Sequence, residues 1–245
     1  VYVTAGNGIF QCVGGSSVTF EGPSLGGAEI TADGSGGFVI ELAGVGGGTG
    51  ISRVQVPVWS QPDQSNLVWY EAEKTGEGTY RVESDISRHN YRVETYIADL
   101  YLTDGNGVRT CAGRRQFSFQ ASAGAVTLTQ DPEETLYPLV IRDVQVPGGE
   151  DAVLAAVWSE NGGQDDLYWY TARKNGTEYE VDIDIRRHRD LGPYQIHVYA
   201  RTKSGQMVIL AKNTELQISG RPQADISVSA QQEALGIFEV AVGVS

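Results

Sequence analysis

The sequence predicts an all-β protein built from tandem immunoglobulin-like antiparallel β-sandwiches that are arranged end to end. Three observations support this prediction. Short apolar or alternating runs are separated by turn residues along the chain, and no run keeps apolar residues at helical spacing over about a dozen positions. Glycine occurs 31 times, which suits many tight turns. The sequence also repeats itself with a period of about 100 residues.

The repeat is visible as three pairs of matching segments. They are 58–61 with 157–160, 64–70 with 164–170, and 85–89 with 184–188. The offset is 99 or 100 residues, so the matches slip by one residue between predicted strands. Slips at turns combined with identity inside strands are typical of a duplicated β domain.

The same frame divides the chain into four parts. We expect the C-terminal strands of a preceding repeat at 1–22, complete repeats at 28–120 and 125–219, and the N-terminal strands of a following repeat at 224–245. Each complete repeat is long enough to bury a core of its own. The chain begins at Val1 without an initiator Met, which favours an excised segment of a longer protein.

The second repeat shows the predicted strands most clearly. They lie at 126–130, 139–146, 152–159, 166–173, 178–184, 193–202, 206–211 and 214–218. Turn residues such as Asn175-Gly176 separate them. About seven or eight short strands in a repeat of this length indicate two packed antiparallel sheets.

One strand carries the pattern of a tyrosine corner, in which a Tyr hydroxyl bonds to the backbone a few residues upstream. Asp190 and Gly192 precede Tyr194 at the required spacing. Alternation then predicts that Tyr194, Ile196 and Val198 face the core, as do their counterparts Tyr96, Ala98 and Leu100 in the first repeat. The first repeat lacks the Gly and Asp of the corner.

Charge and hydropathy exclude two classes of partner. The net charge of −13 and the pI of about 4.6 oppose binding to nucleic acid, whose phosphates would be repelled. No apolar run is long enough to span a bilayer, so no membrane partner is expected. Acidity suits an exported, repetitive protein that must stay soluble, while calcium binding would require several converging oxygen ligands.

The two cysteines occupy equivalent positions of different repeats. Cys12 and Cys111 are 99 residues apart, so domains strung end to end would hold them too far apart for a disulfide. The aligned residue of the second repeat is Ile209. We therefore expect both thiols to serve as small apolar core residues.

All four tryptophans lie at two repeat positions, and they are the strongest candidates for a binding surface. Aromatic side chains offer large apolar faces that can stack on sugar rings. The alternative is that these residues fill the cores. The candidate ligand-binding set consists of Trp59, Trp69, Tyr70, Trp158, Trp169 and Tyr170.

Two acid–imidazole pairs also recur, Asp85 with His89 and Asp184 with His188. A zinc site would require a third and fourth ligand, and no His or Cys recurs beside them. No Ser lies in a nucleophile-elbow motif. We therefore expect no catalytic residues, no metal and no cofactor, and we expect each His to bond a turn.

Several blocks of the second repeat resemble one known family, the group B streptococcal (GBS) Bsp-like repeat. These blocks are Trp158-Ser159, Gln164 to Ala172, Asp184 to His188, and Gly192 to Tyr199. The first repeat departs from them at Ser65-Asn66 and at Asp99. The resemblance implies exported or wall-attached proteins of Gram-positive bacteria, in which such repeats accompany wall hydrolases and adhesins. It supplies no catalytic residues.

The expected function is a non-catalytic structural or adhesive repeat module of an extracellular bacterial surface or secreted protein, acting as a stalk or spacer. The alternative is a glycan- or peptidoglycan-binding module that targets an attached cell-wall enzyme. Expected partners are a cell-wall glycan or host surface ligand and neighbouring repeats. Unpaired terminal strands would also allow self-assembly through sheet edges.

Overall fold

The computed structural model describes residues 1–17, 21–188 and 190–219, together with the backbone of two strands at 226–234 and 237–244. These residues form antiparallel strands and two short 3-10 helices. They separate into two compact units. The first contains Val1–Gln120, Gln145–Gly149 and Thr202–Gln206, and the second contains Ala121–Val144, Glu150–Arg201 and Met207–Ser245.

An N-terminal hairpin of β1 (Tyr2–Thr4) and β2 (Phe10–Cys12) precedes the first repeat. The first repeat then contains eight strands among the described residues. They are β3 (Gly27–Ala32), β4 (Gly37–Ala43), β5 (Ile51–Trp59), β6 (Val68–Glu71), β7 (Glu73–Gly76), β8 (Thr79–Asp85), β9 (Thr95–Asp104) and β10 (Arg109–Ser118). One four-stranded sheet has the order β3-β4-β8-β7, and the other has the order β10-β9-β5-β6.

The second repeat follows the same plan. Its strands are β11 (Ala125–Leu128), β12 (Leu136–Arg142), β13 (Glu150–Ser159), β14 (Tyr168–Asn175), β15 (Glu178–Asp184), β16 (Gly192–Thr202) and β17 (Met207–Ile218). Their order is β11-β12-β15-β14-β13-β16-β17. The first part of β14 pairs with β13 and its last residues pair with β15, so this strand passes from one layer to the other. In the first repeat, β6 and β7 do this as two separate strands.

Each repeat is an immunoglobulin-like β-sandwich, because alternating side chains from both sheets close a core between them. In the first repeat, Ile40, Val56, Val58 and Leu100 are completely buried. In the second, the completely buried residues include Leu139, Ile141, Val153, Val157 and Ile196. The predicted all-β fold of repeated sandwiches is therefore confirmed.

The alternation predicted for the central strands is also confirmed. Tyr194, Ile196 and Val198 are fully buried, and so are Tyr96, Ala98 and Leu100. The Tyr194 hydroxyl donates to the Asp190 carbonyl at 3.2 Å, which completes the predicted corner. The first repeat has the same corner, since the Tyr96 hydroxyl donates to the Arg92 carbonyl at 2.7 Å. A backbone acceptor is all that the corner requires, so the missing Gly and Asp do not prevent it.

One prediction about β17 and one about β10, the last strands of the two repeats, were wrong. The runs 206–211 and 214–218 form one strand, β17, in which a bulge opposite Val198 and left-handed Asn213 (φ 61°) shift the register. Cys111 is exposed rather than buried, because it lies opposite Tyr101 on the outer face of its sheet. Ile209 has the same outward position opposite Tyr199 and is only half-buried.

The predicted terminal fragments are hairpins in the structure. Cys12 lies in the β1–β2 hairpin, whose residues are all exposed, so it too is not a core residue. At the other end, β18 (Ile226–Ala234) and β19 (Ile237–Val244) pair antiparallel. The predicted boundary at residue 224 lies outside the described residues. That these hairpins are parts of neighbouring repeats stays a prediction.

Candidate functional site

The outer face of the β10-β9-β5-β6 sheet carries the tryptophans of the first repeat. Since Val54, Val56 and Val58 of β5 face the core, Trp59 faces outward. Trp69 of β6 lies directly opposite Pro57 of β5 and shares that face. Trp69 is 45% exposed, whereas Trp59 is only 6% exposed because other outward side chains cover it.

These two rings and Tyr101 of β9 line a small hollow of about 110 Å³. The Trp69 and Tyr101 ring centroids are 5.6 Å apart, with the rings tilted by 36°. The Arg109 guanidinium lies 5.2 Å from the Trp69 centroid and 4.7 Å from the Tyr101 centroid, where its charge attracts both rings. The remaining walls are Pro57, Gln64, Leu67 and Asp99.

One wall of the hollow is an ion pair that the register of two strands creates. Asp99 of β9 lies opposite Arg114 of β10. The Arg114 Nε and Nη2 groups donate to the two Asp99 carboxylate oxygens at 2.6 Å and 3.0 Å. The Arg114 guanidinium also lies 5.5 Å from the Trp59 ring centroid, which explains why Trp59 is covered. Hydrogen bonding to Asp99 raises the pKa of Arg114.

The opposite wall belongs to the loop between β5 and β6, which buried hydrogen bonds hold in place. The Asn66 Oδ1 atom accepts from the backbone N–H groups of Ser60 and Gln61, each at 3.1 Å. The Asn66 carbonyl accepts from His89 Nδ1 at 2.9 Å. These bonds fix the core side of the loop, while Gln64 and Leu67 line the hollow.

Tyr70 was predicted to join the outward tryptophans, and this placement was wrong. Tyr70 lies opposite Val56, so it faces the core and is 8% exposed. Its hydroxyl lies 2.8 Å from His89 Nε2 and accepts from Ser84 Oγ at 3.0 Å. Burial raises the pKa of Tyr70. A strand alternates faces at every residue, so Trp69 and Tyr70 cannot share one surface.

Tyr170 of the second repeat has the same inward position, and the same correction applies to it. It lies opposite Ala155 and is 7% exposed. Its hydroxyl is 3.0 Å from His188 Nε2 and donates to the Asp184 carbonyl at 3.1 Å. Burial is the main cause that raises the pKa of Tyr170 to about 12.

The outer face of the second repeat keeps the aromatic rings but lacks the ion pair. Trp169 is 43% exposed and packs against Tyr199 at a centroid distance of 5.3 Å. His197 stands where the first repeat has Asp99, and its ring meets Trp158 edge-on at 4.6 Å. Met207 stands where the first repeat has Arg109 and is 42% exposed. The two repeats therefore share a platform whose polar partners differ.

The recurring acid–imidazole pairs are structural in their geometry. Asp85 and Asp184 cap 3-10 helices at Ile86–His89 and Ile185–Arg187, where each accepts a backbone N–H two residues later. His89 is fully buried, and burial is the main cause that lowers its pKa. The pKa of His188 is lowered by burial as well, against the opposing effect of Asp166, whose carboxylate lies 3.5 Å from Nδ1.

The sequence analysis missed five of the seven residues that line the hollow, which are Pro57, Gln64, Leu67, Asp99 and Tyr101. Alternation along β9 would have placed Asp99 and Tyr101 outward, opposite in parity to Tyr96 and Leu100. Arg114 pairs with Asp99 only after a bulge between Cys111 and Gly113, which the sequence does not reveal. The position of Gln64 depends on how the β5–β6 loop folds, and no sequence pattern indicates it.

Two further observations concern metal ligands and membranes. Within the described ranges, no three His, Cys, Asp or Glu side chains converge where a metal ion would fit. Among the helices of the same ranges, none has the length and apolar character needed to cross a membrane.

Comparison with solved structures gives distant similarities. A polysaccharide deacetylase from Bacillus cereus is 15% identical with a TM-score of 0.33, and the match covers 44% of this chain and 31% of that one. The tetra-tandem repeat in the extending region of a large adhesion protein is 16% identical with a TM-score of 0.34, covering 86% of this chain and 52% of that one. The FN1–FN3 domains of chicken CNTN1 are 11% identical with a TM-score of 0.31, covering 80% and 67%.

At these TM-scores, the similarities support no conclusion about function. This chain spans about a third of the deacetylase and about half of the adhesion-protein segment. No curated protein matches the sequence.

A family model gives the decisive comparison. The model of the GBS Bsp-like repeat matches twice, at residues 28–117 and 127–215, which together make up most of the chain. Each match coincides with one β-sandwich. The chain therefore belongs to the GBS Bsp-like repeat family and contains two copies of that repeat.

Proposed function

We propose that this chain is a non-catalytic stalk or spacer in an extracellular, wall-attached or secreted protein of a Gram-positive bacterium. The observation that carries this proposal is that the equivalent imidazoles of the two repeats are buried inside the fold. His89 and His188 are buried and lie within hydrogen-bonding distance of the Tyr70 and Tyr170 hydroxyls, so they stabilise the fold. Repeated domains that each close their own core suit a spacer, since every added repeat extends the array.

A change in repeat number tests the spacer. The parent protein would be displayed on cells with an epitope tag beyond the repeats, in versions with the natural repeats and with one extra copy of 125–219. The height of the tag above the wall, measured by super-resolution microscopy, is expected to rise with each copy. A tag that stays at the same height would contradict the proposal.

The absence of catalysis needs a separate test. Purified chain would be incubated with cell-wall polymers, and product release would be followed. No release is expected from the wild type. Release that survives purification and disappears in His89→Gln or His188→Gln would show that the chain is a hydrolase.

A second candidate function is glycan or peptidoglycan binding that targets an attached wall enzyme. It is favoured by the outward tryptophans, because Trp69 and Trp169 are 45% and 43% exposed at equivalent positions of the two repeats. Pull-down on purified cell walls tests it, with the Trp69→Ala/Trp169→Ala double variant as the comparison. Retention of the wild type and loss of the double variant would support binding. No retention of the wild type would contradict glycan binding, and equal retention of both would show that the tryptophans do not carry it.

A further inference from the structure

We propose that the hollow of the first repeat binds a single neutral sugar ring, between Trp59, Trp69, Tyr101 and Asp99. This inference rests on the second of the two functions proposed above and names its site and ligand class. The hollow has a volume of about 110 Å³ and opens to solvent beside Trp69. An enclosed apolar cavity of roughly 150 Å³ accommodates benzene, so this smaller, open hollow receives one face of a six-membered ring and leaves the other face in solvent.

The apolar walls match the C–H faces of a pyranose. Trp59 forms a buried wall, and Trp69 and Tyr101 form a tilted pair on the outer face. Arg109 contacts both rings of that pair and so holds their orientation before any ligand arrives. Rigid aromatic rings lose little conformational entropy on binding, so a ligand that makes few contacts can still bind.

The polar walls match the hydroxyl groups of the same ligand. Asp99 accepts two hydrogen bonds from Arg114, and a carboxylate has about four acceptor positions, so acceptor positions remain for hydroxyl donors. The Gln64 amide, with both a donor and an acceptor, lies among the other walls. Two planar polar groups around one stacked ring suit neighbouring hydroxyls.

Charge selects a neutral ligand. Arg114 balances the Asp99 carboxylate, so the hollow offers no uncompensated negative charge to a cation. An anionic sugar would meet the Arg109 guanidinium, but that cation already faces the Trp69 and Tyr101 rings, and the net charge of −13 on the chain opposes the approach of an anion. A neutral hexose or N-acetylhexosamine meets neither penalty.

The loop beside the hollow holds a strained residue. Gln64 has φ 57°, a left-handed conformation that is uncommon for residues other than glycine. It persists because the Gln64 N–H donates to the Gln61 carbonyl at 2.9 Å and the Leu67 N–H donates to the Gln64 carbonyl at 3.0 Å. These two bonds fix the backbone from which the Gln64 side chain reaches the hollow.

The second repeat provides a control within the same chain. It keeps the two tryptophans and the tyrosine, but His197 replaces Asp99 and its ring packs against Trp158 at 4.6 Å. Ala156 stands opposite Trp169 where Pro57 stands opposite Trp69. The sugar site should therefore be confined to the first repeat.

The test is a titration of the intact chain with glucose, galactose, mannose and N-acetylglucosamine, followed by tryptophan fluorescence and by NMR of the indole N–H groups. At least one sugar is expected to bind with a dissociation constant of about 1 mM. Trp69→Ala and Asp99→Asn should each weaken that binding about tenfold or more. Trp169→Ala, the matched control, should leave the affinity unchanged.

The outcomes separate this site from the broader function. If no sugar binds saturably, or if Trp169→Ala weakens binding as much as Trp69→Ala, the proposed site is wrong. If wall pull-down still succeeds in that case, glycan binding stands and lies elsewhere on the chain. If pull-down fails too, the sugar site and the glycan-binding function are both wrong. Because Trp69 is exposed and Asp99→Asn preserves shape, circular dichroism should show both variants folded.

Discussion

At the scale of single residues, the buried histidines show how one imidazole can fix a loop. His89 Nδ1 faces the Asn66 carbonyl and so must carry the proton, which leaves Nε2 to accept from the Tyr70 hydroxyl. The neutral ring satisfies both partners. A protonated ring would carry an N–H group at Nε2, and the Tyr70 O–H would then lose its acceptor.

This arrangement predicts a pH dependence of stability. Burial lowers the pKa of folded His89 below the value of about 6.5 for an unfolded chain. The unfolded state therefore binds more protons as the pH falls below about 6.5, and the free energy of unfolding decreases. Urea unfolding between about pH 7.5 and pH 5.5 should show a shallower pH dependence for His89→Gln than for the wild type. Identical slopes would show that His89 does not contribute.

The tyrosine corners predict a second effect at this scale. Tyr96→Phe and Tyr194→Phe each remove a hydrogen bond to a backbone carbonyl and leave the packing intact, and Tyr194→Phe also removes the bond that the hydroxyl accepts from the Asp190 N–H. Each should lower the free energy of unfolding by about 1 kcal/mol. Tyr101→Phe is the control, since its hydroxyl has no hydrogen bond within the described part of the chain. Urea midpoints for the corner variants that equal the wild-type value would contradict this account.

The sequence predicts whether such residues face the core only where the strand backbone alone sets the direction of the side chain. Alternation located Tyr194 and Tyr96 in the core, because strand geometry alone sets that parity. The prediction for Cys111 was wrong because it rested on alignment with Ile209 and on the assumption that an apolar residue must face inward. The prediction for Tyr70 was wrong because neighbouring aromatic residues were treated as one surface.

At the scale of elements, the two repeats differ most where a strand changes sheets. β14 makes the passage as one strand, whereas β6 and β7 are interrupted at Ala72, whose N–H donates to the Val54 carbonyl. The sequence predicted a strand at 166–173 of the second repeat, but not its division between two sheets. Which partner each residue pairs with depends on the packed layers, so local pattern cannot supply it.

The hairpin between β14 and β15 gives a prediction for this scale. Gly176 has φ 60°, and a Cβ atom there would meet no neighbour within 4 Å. Gly176→Ala should therefore lower the free energy of unfolding through backbone strain alone, by about 1–2 kcal/mol. Gly27→Ala is the matched control, because Gly27 lies in β3 with equally open space and no left-handed φ. It should raise stability by about 0.5 kcal/mol.

Calorimetry of these two glycine variants gives the measurement. Their melting temperatures should move in opposite directions from the wild-type value. Equal changes in both would indicate that the φ of Gly176 is not what the hairpin depends on.

At the scale of the whole molecule, the sequence predicted the duplication but not the site. Three pairs of matching segments were sufficient to define two sandwiches, because an internal repeat must fold twice in the same way. The hollow needed more than that. Alternation along β9 places Asp99 on the face of the tryptophans, but its partner Arg114 depends on a bulge and Gln64 depends on a loop, and alternation describes neither.

The duplication carries a last prediction, that residues 125–219 fold without the rest of the chain. Leu139, Val153, Ile183 and Ile196 are fully buried among side chains of the second repeat, so the excised segment keeps its core. At about 95 residues it is also within the size range of independently folding domains. The excised segment should give one cooperative urea transition by circular dichroism and by tryptophan fluorescence, with coincident midpoints. Val153→Ala, which opens a cavity in that core, should lower the midpoint without abolishing the transition. A segment that shows no transition would mean that the second repeat depends on its neighbours for stability, and a spacer lengthened one repeat at a time would then be excluded.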